Sequence, residues 1–166
     1  DSWRDAPFIT GLCYAESEDG YSFEPCAHQG PKDPRLPEST NSIALPKRPS
    51  SPLKVQMFRT VFIDERETDP NKRYKAPTSD GFIYMSPDGI TWTPYLDKKW
   101  ITPLDSDTLN NMLFNPVTGR YQFFCRPGNL DRRIAIVESE DLETFSDRRV
   151  VLQTDIFDPP LHQFYG

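Results

Sequence analysis

The chain contains no apolar run approaching the ~20 residues a spanning helix needs, so no membrane-spanning segment is expected. Histidine is nearly absent: only His28 and His162 occur. The three cysteines form no Cys-x-x-Cys, and no Cys/His ligand spacing is present, which argues against zinc. Cys13 and Cys26 lie 13 positions apart and are compatible with a bridge in an oxidising compartment, whereas Cys125 sits in an apolar run and reads as a buried thiol. No excess of base exists either. Lys+Arg number 19 against 25 Asp+Glu, giving a net charge of −6 and a pI near 4.9, which argues against a nucleic-acid partner and favours neutral or small ligands. No metal ligand set is expected; a calcium near a carboxylate-rich site is left open, with no motif specifying it. Long stripes of 3.6-residue period are missing, and with them any convincing helix.

What is present is proline and aromatic residues. The 166 residues (19.2 kDa) have the length of one domain able to bury a core. Proline accounts for 17 of them, roughly twice ordinary usage. Aromatics reach 13%, which excludes a disordered chain despite a mean hydropathy of −0.65. Short apolar runs (Phe8–Tyr14, Val61–Ile63, Gly81–Met85, Met112–Phe114, Tyr121–Cys125, Ile134–Val137, Val150–Leu152) are divided by turn signals at Asp19-Gly20, Asp69-Pro70-Asn71, Asp88-Gly89 and Thr118-Gly119. This pattern predicts an all-β protein. Residues 25–52 hold 7 of the 17 prolines, and no aromatic occurs between Phe23 and Phe58, so this stretch reads as an extended surface loop or insertion.

An internal repeat organises the rest. Ser17-Glu18-Asp19-Gly20-Tyr21-Ser22-Phe23, Ser86-Pro87-Asp88-Gly89-Ile90-Thr91-Trp92 and Ser139-Glu140-Asp141-Leu142-Glu143-Thr144-Phe145 share Ser, Asp two positions on, and an aromatic six on. Arg73-Tyr74 and Arg120-Tyr121 precede the second and third copies, each behind an apolar strand, Val61–Ile63 or Met112–Phe114. Each unit reads as strand, turn, Arg-Tyr strand, loop, strand ending in Ser-x-Asp, tight turn, and a strand begun by the aromatic. Four antiparallel strands in about 50 residues is the size of a β-propeller blade, and the aromatic fills the wedge between twisted blades.

The segments Tyr14–Gly20, Ser86–Trp92, Asp105-Ser106-Asp107-Thr108 and Gln163-Phe164-Tyr165-Gly166 resemble the five-bladed β-propeller glycosidase-like proteins, related to the clan of β-fructosidases and arabinanases. The resemblance covers most of the chain except 25–52. It implies an all-β propeller of four-stranded blades, here two to three of them: 1–27 part of a blade, 28–56 the Pro-rich insertion, 57–104 and 105–155 blades, 156–166 the start of another. A fragment of a longer protein is the expectation, with the remainder of the ring supplied by the same chain or by another subunit. The resemblance also implies glycoside hydrolysis on an oligo- or polysaccharide in a secreted or periplasmic setting. The sequence lacks the clan's Trp-Met-Asn-Asp-Pro-Asn, Arg-Asp-Pro and Glu-Cys motifs, so its catalytic carboxylates are not carried over.

Candidate residues follow from propeller geometry, in which the start of each innermost strand faces the ligand end. Carboxylates from different blades meeting over the axis supply what glycoside hydrolysis needs, one as nucleophile or base and one to protonate the leaving oxygen. Asp107, with Asp105 beside it, is the site carboxylate expected, and Asp158 its partner from the next blade. A turn cap is the plain alternative for Asp105 and Asp107. Arg59, Asn110, Asn111, Arg126, Arg133, His162, Gln163 and Trp100 are candidate sugar-binding residues, by guanidinium forks, hydroxyl contacts or ring stacking. Asp19, Asp88 and Asp141 are expected to be turn scaffolding, resembling the Asp-box turns of sialidase propellers that lie away from the ligand face. Asp33, Glu38 and Asp64-Glu65 read as solvated loop charges. A non-catalytic carbohydrate- or protein-binding propeller, or an oligomeric propeller scaffold, is the alternative function.

Overall fold

The computed structural model describes residues 11–46, 58, 60–78, 81–97, 111–128 and 132–158. Its described elements are strands and one short 3-10 turn at Pro70–Lys72, started by Asp69 accepting the Asn71 N–H. The strands are β1 (Leu12–Cys13), β2 (Ala15–Glu16), β3 (Glu24–Pro25), β4 (Ser42–Ile43), β5 (Phe62–Ile63), β6 (Tyr74–Pro77), β7 (Ile83–Ser86), β8 (Thr93–Pro94), β9 (Asn111–Asn115), β10 (Arg120–Cys125), β11 (Ile134–Ser139) and β12 (Arg149–Leu152). Two four-stranded antiparallel meanders result, β5–β8 and β9–β12, each in sequence order. The expected all-β class and four-stranded units are what the chain forms.

The two meanders share one register. Tyr74 faces Ser86 across β6 and β7, and Tyr121 faces Ser139 across β10 and β11, so the Arg-Tyr and Ser-x-Asp elements of the repeat are structural equivalents. The first copy keeps the same pairing around its turn: Ala15 opposes Pro25 as Tyr84 opposes Pro94. There the chain leaves the outer edge of the strand and comes back to it. Tyr14 accepts from the Cys26 N–H at 3.3 Å and donates to the Asn41 carbonyl at 2.9 Å. Both bonds leave Tyr14 on one edge, so 27–40 is an excursion between β3 and β4.

Because strand side chains alternate, each sheet has a backward and a forward face. Tyr74, Ala76, Tyr84 and Trp92 look back onto Leu12, Tyr14, Ile43 and Leu45 in one apolar cluster. Ile83 and Met85 look forward onto Met112, Tyr121, Phe123, Ala135 and Val137 in a second. Sheet β5–β8 is therefore covered on both faces, and its neighbours stack on it in the same sense.

Two charges expected to be solvated are buried. Asp33 lies 5% exposed inside the Pro-rich segment; its carboxylate accepts the Arg35 N–H and Nε at 2.9 Å, and its own N–H reaches Ser42 Oγ. Asp64 is 3% exposed at the seam between the meanders. Glu38 and Glu65 are exposed as expected. The Pro-rich segment also differs from a plain surface loop in burying Ser42 and Ile43, since these return to pair with β1 under the first seam.

Candidate functional site

The three Ser-x-Asp turns fold by local chemistry. Asp88 Oδ1 accepts the N–H groups of Ile90 and Thr91 at 2.8 and 2.7 Å, and Ser86 Oγ accepts from Gly89 at 2.9 Å. Asp19 and Asp141 bond their own turns in the same way. Backbone N–H groups of Ser22 and Tyr21 hold the Asp19 carboxyl down to about 2, and those of Thr144 and Glu143 lower Asp141. Burial opposes the effect at Asp88, but the Thr91 and Ile90 N–H groups outweigh it and the net shift is downward. Each carboxylate is committed to its own turn, which makes these residues structural.

The third turn departs in one respect. Gly20 and Gly89 take φ of +76°, and Leu142 stands at the same place with φ of +62°. A leucine tolerates this left-handed conformation, which costs roughly 1–2 kcal/mol, because its side chain is 3% exposed within the forward cluster. Burial of such a chain stabilises by roughly 1.5–3 kcal/mol. Leu142→Gly removes both effects and Leu142→Ala removes only the burial. Alanine is expected to be the more destabilising of the two, the reverse of the usual order, as read from urea midpoints of the two variants.

At the opposite end of the meanders lie the connections between β6 and β7 and between β10 and β11, together with 153–158. Of the sequence-derived candidates, four are described and fall at this end. Asn111 begins β9, exposed and facing Phe124. Arg126 follows β10 and is buried, its carbonyl accepting from Arg148 Nη1 at 3.1 Å. Arg133 immediately precedes β11 and reaches Gln153 Oε1 at 3.4 Å. Asp158 is half-buried, and its carboxylate accepts the Asp155 N–H at 2.8 Å, closing a local turn. Asp105, Asp107, Arg59, Asn110, Trp100, His162 and Gln163 lie outside the described residues. Arg126, Arg132, Arg133 and Arg148 gather at this end alongside Asp155 and Asp158. Guanidinium groups present planar forks suited to hydroxyls and carboxylates.

Sequence reasoning missed a buried ionic group at the other end of the seam. Lys75 is 0% exposed on β6 and sits 3.0 Å from both Asp64 Oδ2 and Glu67 Oε2. The Tyr121 hydroxyl, from the next sheet, donates to Asp64. Arg66 lies 3.6 Å from Asp64 and stacks 3.1 Å above the Phe114 ring. Burial raises the Asp64 carboxyl, but the Tyr121 hydroxyl and Lys75 together bring it below its ordinary range; burial also raises Glu67, and the Asp69 N–H and Lys75 outweigh it. Burial and the Asp64 charge push the Tyr121 phenol well up, so it stays a donor. All members satisfy one another, which makes the group a tie between sheets. Strand alternation was the available signal: Lys75 shares its face with the inward-facing Met85.

Other chemistry-bearing side chains are dispersed. Burial pushes the Cys125 thiol up to about 11, matching the expected inert buried thiol. Cys13 and Cys26 are free, the latter donating to the Glu24 carbonyl. His28 packs edge-on to Tyr14 with both ring nitrogens buried and without a hydrogen bond. An open recess of about 480 Å³ beside the first turn is lined by Glu16, Glu18, Asp19, Glu24 and Cys26 among others. Among the described residues, no three of His, Cys, Asp and Glu are grouped to hold a metal ion.

The comparisons with known proteins return nothing: the chain matches no family model, no curated protein and no solved structure.

Proposed function

We propose that the chain is part of a carbohydrate-active β-propeller of the five-bladed glycosidase-like type, acting on an oligo- or polysaccharide outside the cytoplasm. Paired carboxylates at the axis are the catalytic groups of this reading. The observation that supports it most is the repeated stacking in one register: every Ser-x-Asp turn lies at one end of its sheet. That leaves the opposite end, with Asn111, Arg126, Arg133 and Asp158, for the ligand. In this reading Asp107, flanked by Asp105, is one carboxylate and Asp158 the other, while the guanidinium groups hold sugar hydroxyls.

The test is a panel of aryl glycosides with the protein, followed by phenolate release. Turnover that Asp107→Asn abolishes, with circular dichroism unchanged, is the expected outcome. Binding of oligosaccharide with no release from any member of the panel replaces hydrolysis with a non-catalytic binding function. Turnover that survives Asp107→Asn removes that residue from the mechanism.

A further inference from the structure

We propose that Asp19-Gly20 is a modification site, where aspartate converts to isoaspartate only while its turn is open, and that the repeat serine keeps the folded chain from reacting. The inference rests on bonds inside single turns. It is independent of glycoside hydrolysis and of whatever covers the outer sheet faces.

The chemistry belongs to the Asp-Gly dipeptide. The chain carries it in two of the three repeat turns, at Asp19-Gly20 and Asp88-Gly89, and again at Asp80-Gly81, where Asp80 lies outside the described residues. The glycine nitrogen attacks the aspartate Cγ. The N–Cγ bond forms, the Cγ–O bond breaks, and the oxygen leaves as water with the carboxyl proton and the amide proton. Water then opens the five-membered imide. Cleavage between the nitrogen and the main-chain carbonyl carbon leaves the chain running through Cγ, as isoaspartate; one water has left and one has entered. Glycine favours the reaction because no side chain crowds the attacking nitrogen.

Folding engages both reacting groups with one hydroxyl. Ser17 Oγ accepts the Gly20 N–H at 2.8 Å and donates to Asp19 Oδ1 at 2.9 Å. Asp19 Oδ1 also accepts the N–H groups of Tyr21 and Ser22 at 2.7 and 2.8 Å. These charge-assisted bonds favour the ionised carboxyl, which lacks the proton its oxygen needs to leave as water. Ser86 holds Gly89 and Asp88 in the same way, at 2.9 and 3.0 Å. That turn has two further ties: Thr91 Oγ1 donates to Asp88 Oδ2 at 3.2 Å, and Trp92 Nε1 donates to the Gly89 carbonyl at 2.9 Å. Phe23, which stands where Trp92 does, has no side-chain N–H to give. In the third turn Leu142 follows Asp141, and its side chain crowds the nitrogen that Ser139 Oγ already binds at 2.8 Å. The three turns therefore form a graded series, with Asp19-Gly20 the most reactive and Asp141-Leu142 the least. Isoaspartate adds a carbon to the backbone and moves the free carboxylate to Cα, so Tyr21 and Ser22 lose their acceptor and the turn does not close again. The change permanently marks a turn that has opened.

The test is site-resolved mass spectrometry of isoaspartate after incubation of the full chain at neutral pH, beside a synthetic peptide of residues 15–24. Asp19 in the folded chain is expected to isomerise at least about tenfold more slowly than in the peptide, the factor that one net hydrogen bond to a charged group supplies against opening. Ser17→Ala, with circular dichroism unchanged, is expected to bring Asp19 up toward the peptide rate and leave Asp88 unmoved. Ser17→Thr keeps the hydroxyl and is expected to stay slow. Asp88 should react more slowly than Asp19, and Asp141 should give no isoaspartate over the same period. Asp19 reacting at the peptide rate in the folded wild type overturns the inference. A Ser17→Ala rate equal to that of the wild type, a Ser17→Thr rate equal to that of Ser17→Ala, or an Asp88 faster than Asp19 overturns it as well. Should Ser17→Ala unfold the chain, the wild type set against the peptide and the order of the three turns decide the question.

Discussion

Lys75→Met is expected to destabilise the chain by about 3–5 kcal/mol, as measured by urea unfolding at neutral pH. The lysine is wholly enclosed, and its ammonium lies 3.0 Å from two carboxylates. Methionine fills the same space and removes the ammonium that both carboxylates share, leaving Asp64 with the Tyr121 hydroxyl and the more distant, exposed Arg66. Removing one partner of a buried pair costs far more than the pair's net contribution, because the survivor remains charged and desolvated. The pH dependence has a definite sign. Asp64 and Glu67 titrate below their ordinary range in the folded chain, so their contribution is present above the unfolded carboxyl range and fades as pH falls through the folded one. The cost of Lys75→Met should therefore be greatest near pH 7 and shrink on acidification, once the stranded carboxylates take up protons. A penalty independent of pH between 7 and 4 identifies the loss as packing alone.

Trp92→Ala is expected to cost about 3–5 kcal/mol, the range for truncating a large buried aromatic. Its ring lies 4.4 Å from Phe58, centroid to centroid, and its Nε1 donates to the Gly89 carbonyl at 2.9 Å. It therefore joins the turn to the seam. Phe23→Ala, at the same repeat position, should change stability by less than about 0.5 kcal/mol, because the ring is 61% exposed. The Ser-x-Asp bonds are common to both turns, so the contrast reads the burial of Trp92 together with its Nε1 bond, for which Phe23 has no counterpart. Comparable losses at both positions, in chemical unfolding at high dilution, contradict this account.

These two sites mark the boundary of what was legible in the sequence. The Ser-x-Asp turns were readable because their bonds join residues within three positions of one another, as in Asp88 with Ile90 and Thr91. The Arg-Tyr strands were readable for a related reason, since an antiparallel meander pairs neighbours in the chain. Asp64 was misread because its burial depends on Tyr121, 57 positions away on another sheet. Asp33 was misread because its surroundings arise only when Ser42 and Ile43 return to β1. Of the proposed site, the end of the sheets was derivable from strand order alone. The local turn that Asp158 closes with the Asp155 N–H carries no signature in composition or spacing.

Stacking in one sense also shapes how the molecule opens. A linear array in which each unit contacts only its neighbours unfolds from the ends, with cooperativity set by the interfaces. Sheet β5–β8 owns both interfaces, including the Lys75 cluster on one side and Trp92 on the other. Among the described residues the flanking sheets own one each. Fraying of either outer unit leaves the centre with a partner, whereas loss of the centre dissolves both contacts together. Among the described residues, sheet β5–β8 is thus the keystone, the one whose opening breaks both contacts at once.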